Sequence, residues 1–246
     1  MKKYTEEFIV PCYESDLNMI MTPNAFLDHA QEIAQRNAQE LGFGRDDLIK
    51  NNTAWVLSRI HVKFHKLPHW RDEVNMKTWH KSTDTLYYFR DFTMHDNMGN
   101  LLASATTSWL VIDLESRRLT RSQELARKYE KCLPEDAIVE VAPKLKMPRD
   151  VEPEEVYVHH VRYTDIDVNG HVNNVKYAVW SMDAVPYEIV SKRQVKDLKI
   201  NFNHEAKLDD DVQIFRTMLE TEDGGLLYTI EGRVQDKVSF ITELEF

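Results

Sequence analysis

The sequence predicts an α+β protein in two similar halves, each a long helix wrapped by a curved antiparallel sheet. Three observations carry this. Each half runs in one order, a strand, a helix, then several strand-like segments. The break DNMGN between two of those segments reads as a hairpin turn. The halves also share a trace of sequence similarity, the mark of an internal duplication.

In order along the chain, Glu7 to Tyr13 reads as a short strand. From Thr22 the pattern changes. Pro23 suits a first helical turn, and Phe26, Leu27, Ala30, Ile33, Ala34 and Ala38 recur at helical spacing, so a helix is expected from Pro23 to Leu41 with its stop at Gly42. GFG at Gly42 to Gly44 is not a phosphate loop, because Asp47 stands where a third glycine belongs and no strand precedes it. Strands are expected at Ala54 to Phe64, Glu73 to Ser82, Thr85 to His95 and Leu101 to Asp113, and a short charged helix at Leu119 to Cys132. Asp136 to Pro153 carries three prolines and reads as a linker. A second helix is expected from Asn174 to Val190, then strands at Val195 to Asn203, Asp211 to Thr221, Leu226 to Gln235 and Val238 to Leu244. The expected domains are 1–135 and 156–246, joined by a linker at 136–155. A helix followed by a wrapping antiparallel sheet of this size, repeated, is the hotdog fold, and two such units can pair their sheets within one chain.

Composition bounds the function. The chain has 246 residues, 42% hydrophobic and 29% charged, ordinary for a soluble protein with a full core. No apolar run approaches the roughly 18 residues of a membrane span. The start MKKYTEEFIV has two lysines but no apolar stretch behind them, so a cytoplasmic location is expected. Cys12 and Cys132 are too few for a disulfide framework, and neither CxxC nor HExxH spacing occurs. His159 and His160 are adjacent and leave a strand on opposite faces, while His61, His65 and His69 are spread over a strand and a Pro68 turn, so no metal or cofactor is expected. A net charge of −10 argues against general nucleic-acid binding.

The densest polar stretch is DIDVNGHVNNVKY, from Asp165 to Tyr177. Asp167, Asn169 and His171 alternate, so in extended or loosely coiled backbone their side chains leave on one side. Asn173 or Asn174 suits the N-cap of the helix that follows, whose N-terminal N–H groups and dipole favour negative charge. Asn-rich turns also cap helices with no further role. Comparing the halves separates the two readings. Setting Tyr13 on Tyr163, an offset of 150, puts Asn24 on Asn174. FHKLPHWRDEV (Phe64 to Val74) sets on FNHEAKLDDDV (Phe202 to Val212) with an offset of 138. In that register Asp167, Asn169 and His171 face Leu17, Met19 and Met21, and Glu205 faces Leu67. Polar residues in one half against apolar ones in the other point to chemistry in the second half and an apolar pocket in the first, lined by Met19, Met21 and Leu67.

DIDVNGHVNNVKY, followed by a strand ending INFNHEA, resembles the acyl-ACP thioesterases, double-hotdog hydrolases of fatty-acyl thioesters known from plant plastids and bacteria. WVLSRIHVKF, DEVNMKTWHKS and SWLVIDLESRRLTR read like the family's first domain. The resemblance implies hydrolysis of fatty acyl-acyl carrier protein to free fatty acid, ending chain elongation, and a catalytic group of Asp167, Asn169, His171 and Glu205. It implies the carrier as partner and no membrane, with the chain a monomer or homodimer; an acyl-CoA thioesterase and a non-enzymatic acyl-binding hotdog protein are the alternatives. Many members carry cysteine directly after that glutamate, and here it is Ala206, so a thiol nucleophile at that place is excluded. No plant transit peptide is evident, which fits a bacterial cytosolic enzyme.

A thioester carbonyl needs a nucleophile and a site for its developing oxyanion. The leaving thiol ionises near pH 8.5 and departs readily. Without a cysteine, activated water is the expected nucleophile, with Glu205 or His171 as general base; an anhydride on Glu205 is the covalent alternative. Asn169 and backbone N–H groups at the helix start suit the oxyanion, with Asp167 orienting Asn169 or His171. An acidic carrier would dock on a local basic patch. Candidates are Arg117, Arg118, Arg121, Arg127, Lys128 and Lys131, or Lys192, Arg193, Lys196 and Lys199.

Overall fold

A computed structural model of the chain describes residues 2–121, 125 and 132–246. The chain divides into two units, Met1–Ala142 and Pro143–Phe246. Residues 122–124 and 126–131 of the helix expected over Leu119 to Cys132, with Arg127, Lys128 and Lys131 of the first basic cluster, lie outside the described residues. Leu125 is helical and buried against Phe43, Leu48, Tyr88 and Val111.

The first unit runs β1 (Tyr4–Ile9), a 3-10 turn (Cys12–Glu14), α1 (Pro23–Glu40), α2 (Arg45–Lys50), β2 (Thr53–Phe64), β3 (Glu73–Thr83), β4 (Tyr88–Asp96) and β5 (Leu101–Asp113). Its strands lie antiparallel in the order β1-β3-β4-β5-β2. The second unit repeats the plan with β6 (Glu154–His160), a 3-10 turn (Tyr163–Asp165), α3 (Asn174–Asp183), α4 (Tyr187–Val190), β7 (Asp197–Phe202), β8 (Asp211–Glu220), β9 (Leu226–Val234) and β10 (Lys237–Glu245), in the order β6-β8-β9-β10-β7. Each unit is a hotdog.

The helices form where the sequence starts them. Thr22 Oγ1 accepts the Ala25 N–H at 3.4 Å and Pro23 opens the first turn of α1. Phe26, Leu27, Ala30, Ile33, Ala34 and Ala38 are buried, and Gly42 ends the segment with φ of 73°. Burying each large apolar side chain contributes about 1.5–3 kcal/mol, so this stripe outweighs the helix's polar outer face. In α3, Asn173 is the cap: its Oδ1 accepts the Val175 N–H at 3.0 Å. The expected helix from Asn174 to Val190 is in fact two pieces. Pro186 has no N–H to continue the ladder and disfavours helical backbone at Val185, so the chain breaks after Asp183 and restarts at Tyr187. Beneath α3, Gly232 of β9 lies opposite Phe240 of β10, and any Cβ there would overlap the Phe240 ring.

Other boundaries move for local reasons. β1 ends at Ile9 and Tyr13 belongs to the 3-10 turn, because Pro11 cannot donate to a ladder. The sequence does not announce the helix α2, and the strand expected at His159 and His160 starts at Glu154, inside the expected linker. The hairpin at DNMGN forms with Asp96 Oδ1 accepting from Met98 N (3.0 Å) and Asn100 N (2.8 Å), and Gly99 at φ of 86°. Between the units the chain is fastened residue by residue. Ala137 N donates to Asp91 Oδ2 (2.7 Å) and Lys81 Nζ to the Ile138 carbonyl (2.7 Å), both within the first unit. Asn201 then holds the start of the second through the Leu145 N–H (2.7 Å) and the Pro143 carbonyl (2.9 Å).

The duplication is exact enough in hydrogen bonding to fix its register, and it corrects the sequence comparison by one residue. The bridges Ser15–Met21 and Ile166–Val172 correspond at an offset of 151. Asp16 Oδ1 accepts Asn18 N at 2.8 Å, as Asp167 Oδ1 accepts Asn169 N at 2.8 Å. Met19 and Gly170, both at positive φ, donate back to Asp16 and Asp167. Asp167, Asn169 and His171 therefore match Asp16, Asn18 and Ile20, and not Leu17, Met19 and Met21. Tyr13/Tyr163 and Asn24/Asn174 are coincidental identities one residue out of step. The later offset of 138 stands: Met21 N donates to the Pro68 carbonyl as Val172 N donates to that of Ala206, so Glu205 matches Leu67.

Candidate active site

The second unit's polar loop is closed on itself before any side chain acts. Asp167 N donates to the His171 carbonyl (2.8 Å) and Gly170 N to the Asp167 carbonyl (3.0 Å), a tight turn that needs the positive φ at Gly170. Asp167 accepts from both the backbone N–H and the side-chain amide of Asn169, at 2.8 and 3.2 Å. His171 leaves the loop toward the segment after β7, where its Nε2 lies 3.4 Å from Glu205 Oε2. Both side chains are about one-third exposed, 35% and 38%. The four residues singled out by the sequence thus form two pairs, Asp167 with Asn169 within the loop and His171 with Glu205 between the loop and the segment after β7.

Beneath the loop, Asp165 is buried and accepts from Arg162 N (2.9 Å), with His159 Nε2 at 2.9 Å and Lys176 Nζ at 3.8 Å. Burial alone would raise its carboxyl, but the Arg162 N–H, His159 and Lys176 outweigh it and hold it below the usual range. The first unit builds a matching acid–imidazole pair from Glu14 and His29, 2.8 Å apart. The carboxylates occupy matching positions, whereas the imidazoles come from different elements, α1 for His29 and β6 for His159. His160 is engaged separately, with Nδ1 2.7 Å from Asp211 Oδ1, and among the described residues no cluster of His, Cys, Asp and Glu is set to hold a metal.

The Glu205 segment is tied on both sides. Ser239 Oγ donates to the His204 carbonyl at 2.7 Å, and the Ala206 N–H donates to Tyr177 Oη at 3.2 Å. Tyr177 is buried among Trp180, Phe202 and Phe240, with ring centroids 5.2, 5.7 and 4.9 Å away. Burial raises its hydroxyl pKa, against the opposing hydrogen bonds it shares with Ala206 N and Ser239. Neither Ser239, a strand residue, nor Tyr177, the last residue of the polar motif, stands out in the sequence by its own spacing or chemistry.

In the first unit, Met21 is fully buried and Leu67 is 4% exposed, whereas Met19 sits at the loop tip, 58% exposed. Cys12 and Cys132 both belong to this unit.

Residues 1–129 match the acyl-ACP thioesterase N-terminal domain, and residues 149–244 match the acyl-ACP thioesterase C-terminal domain. The chain belongs to the acyl-ACP thioesterase family. It is 30% identical over 229 residues to oleoyl-acyl carrier protein thioesterase 2, chloroplastic, of Arabidopsis thaliana, a match covering 87% of this chain and 62% of the relative. It is 26% identical over 234 residues to the palmitoyl-acyl carrier protein thioesterase, chloroplastic, of the same plant, covering 91% and 57%. The chain therefore spans less than two thirds of the length of these curated relatives. In fold it is similar to an acyl-ACP thioesterase from Bacteroides thetaiotaomicron (TM-score 0.87, 22% identity, 98% of this chain and 96% of that one). It is equally similar to the 12:0-ACP thioesterase from Umbellularia californica (TM-score 0.87, 22% identity, 99% and 93%). Within the family frame, this member has Ala206 directly after Glu205, and its buried methyl group leaves that position without a nucleophile.

Proposed function

We propose that this family member hydrolyses the thioester of fatty acyl-acyl carrier protein with water as nucleophile. The observation that carries the reading is the His171–Glu205 pair, 3.4 Å apart and open to solvent, at the positions where the first unit has Ile20 and Leu67. The pair takes a proton from water as its oxygen attacks the thioester carbonyl. Asn169, held by Asp167, presents its amide to the oxyanion, a role worth about 3–4 kcal/mol. At the helix start the Val175 N–H is already taken by the Asn173 cap, which leaves more of that duty to Asn169. Collapse expels the carrier's thiolate and leaves the free fatty acid, and the proton from water returns to the thiolate.

The first unit is the half that takes up the acyl chain, with Met21 and Leu67 as interior lining and Met19 meeting it only at the surface. The carrier docks through basic side chains. Lys192, Arg193 and Lys196 are exposed, as are Arg117 and Arg118. Lys199 is withdrawn from that set, since Asp197 (3.0 Å) and Glu243 (3.5 Å) hold it. The test is turnover of a panel of acyl-ACPs against matched acyl-CoAs. Hydrolysis of acyl-ACP that weakens with salt supports the reading; equal turnover of both thioesters, indifferent to salt, points to a thioesterase without carrier docking, and hydrolysis of neither refutes the chemistry.

A further inference from the structure

Glu205 lies between two peptides that are each fixed to a buried side chain. Hydrogen bonds run from the Ala206 N–H to Tyr177 Oη (3.2 Å), between the Tyr177 and Ser239 hydroxyls, and from Ser239 Oγ to the His204 carbonyl (2.7 Å). This chain of hydrogen bonds starts on one side of Glu205 and ends on the other. Ser239 is the extra residue at the β10 bulge between Val238 and Phe240, and its own carbonyl accepts from Asn203 N (2.8 Å) and His204 N (3.0 Å). Tyr177 and Ser239 are both buried, so neither hydroxyl has water as an easy substitute partner.

The first unit shows that the fold does not require this ring. It builds the same helix start, the same loop and the same bulge. Phe26 stands at the Tyr177 position and packs on Phe64 (5.6 Å) as Tyr177 packs on Phe202 (5.7 Å). Pro68, with no N–H, stands at Ala206. Leu102 stands at Ser239, and its carbonyl accepts from His65 N and Lys66 N in the same way. All three hydrogen-bonding groups are missing from the half that has Leu67 in place of glutamate. Were the ring only scaffold, the first unit would need it as much as the second.

We propose that Tyr177 and Ser239 are positioning residues, whose hydrogen-bonded ring fixes the backbone on both sides of Glu205 and so holds its carboxylate against His171. The proposal rests on the thioester-hydrolysis reading, in which Glu205 works on the attacking water. A small displacement of a reacting group can lower turnover by about a hundredfold, which makes such a ring consequential although it touches no substrate.

The test uses the full chain with Tyr177→Phe, Ser239→Ala and a control, Tyr157→Phe. Tyr157 Oη donates to the Trp180 carbonyl at 2.7 Å, so the control loses a comparable bond outside the Glu205 segment. Expected is a loss in kcat of about ten- to a hundredfold for Y177F and S239A, with KM for acyl-ACP within about twofold and Y157F unaffected. In a Glu205→Ala background, Y177F should lower the residual rate no further, since the residue through which it acts is gone. Without substrate, amide exchange at residues 204–206 should quicken in Y177F and not in Y157F. Folded Y177F and S239A proteins that keep the parent kcat would overturn the proposal, as would a Y177F loss that multiplies with E205A. If Y177F does not fold, S239A decides by the same measures. If the parent protein hydrolyses no acyl-ACP, the reading of the reaction fails, and amide exchange alone still decides whether the ring fixes the segment.

Discussion

Glu205 and His171 are where the two halves part in chemistry: their counterparts are Leu67 and Ile20, whereas Asp167 and Asn169 have Asp16 and Asn18 making the same turn. Glu205→Ala and His171→Ala are therefore expected to lower kcat about a hundredfold or more, the usual contribution of a positioned general base. Both side chains are a third exposed, so circular dichroism and melting temperature should stay close to the parent's. A folded E205A variant that keeps most of its turnover would remove Glu205 from the mechanism. The motif Asp167, Asn169, His171 was legible because its spacing of two and its position before a helix are visible in the letters alone. Glu205 was legible only through the comparison of halves and the family resemblance of INFNHEA. That comparison slipped by one residue in the loop, where the matches of Tyr13 with Tyr163 and Asn24 with Asn174 outweighed those of Asp16 with Asp167 and Asn18 with Asn169. Hydrogen bonding settles such a register, and letters do not. Tyr177 and Ser239 were hidden because their partners are backbone groups, although Phe26, Pro68 and Leu102 at the matching positions carried the signal.

Among the elements, α1 was the most legible, because a capped start, an apolar stripe and a terminal glycine all agree. The helix α2, the start of β6 and the break at Pro186 are less legible, because they are short or depend on tertiary partners; α2, for example, is capped by Gly44, where a Cβ would meet the Gln39 backbone at 2.9 Å. One interior contact between elements sets a pH dependence. Arg90 of β4 donates to Asn37 of α1 (3.0 Å), to Thr78 of β3 (2.9 Å) and to Nε2 of His80 in β3. Burial, and then the Arg90 charge, hold the imidazole well below its ordinary pKa. The folded protein keeps His80 neutral where the unfolded chain protonates it, so the unfolded state gains protons as the pH falls below about 6.5. This contribution is fully present above that pH and is lost on acidification, with a slope of at most about 1.4 kcal/mol per pH unit for one proton. His95, also held down by burial, acts in the same sense, while Asp91, raised by burial, acts oppositely in the carboxylate range. Urea unfolding from pH 8 to 5 should show stability falling below about pH 6.5, and His80→Gln should flatten that fall. An unchanged slope in H80Q would assign the acid sensitivity elsewhere.

At the scale of the whole chain, duplication makes the architecture readable in the sequence: two units with one strand order, differing mainly in the connection that contains α2. What the sequence could not supply was depth, because whether a methionine faces a cavity or fills a core depends on packing. Met21 and Leu67, both buried in the unit without His171 and Glu205, are the places to test the division of labour. Replacing Leu67 or Met21 by Phe adds volume to an interior that tolerates little, at a cost of about 1–3 kcal/mol in stability, so total activity is a poor measure. The ratio between chain lengths is the better one. A buried methylene is worth about 0.8 kcal/mol, so each carbon excluded should shift preference toward shorter acyl-ACPs about fourfold while short substrates turn over nearly as before. If folded Leu67→Phe and Met21→Phe instead lose activity by one common factor on every chain length, these side chains support the catalytic half, and the acyl chain is held by other residues.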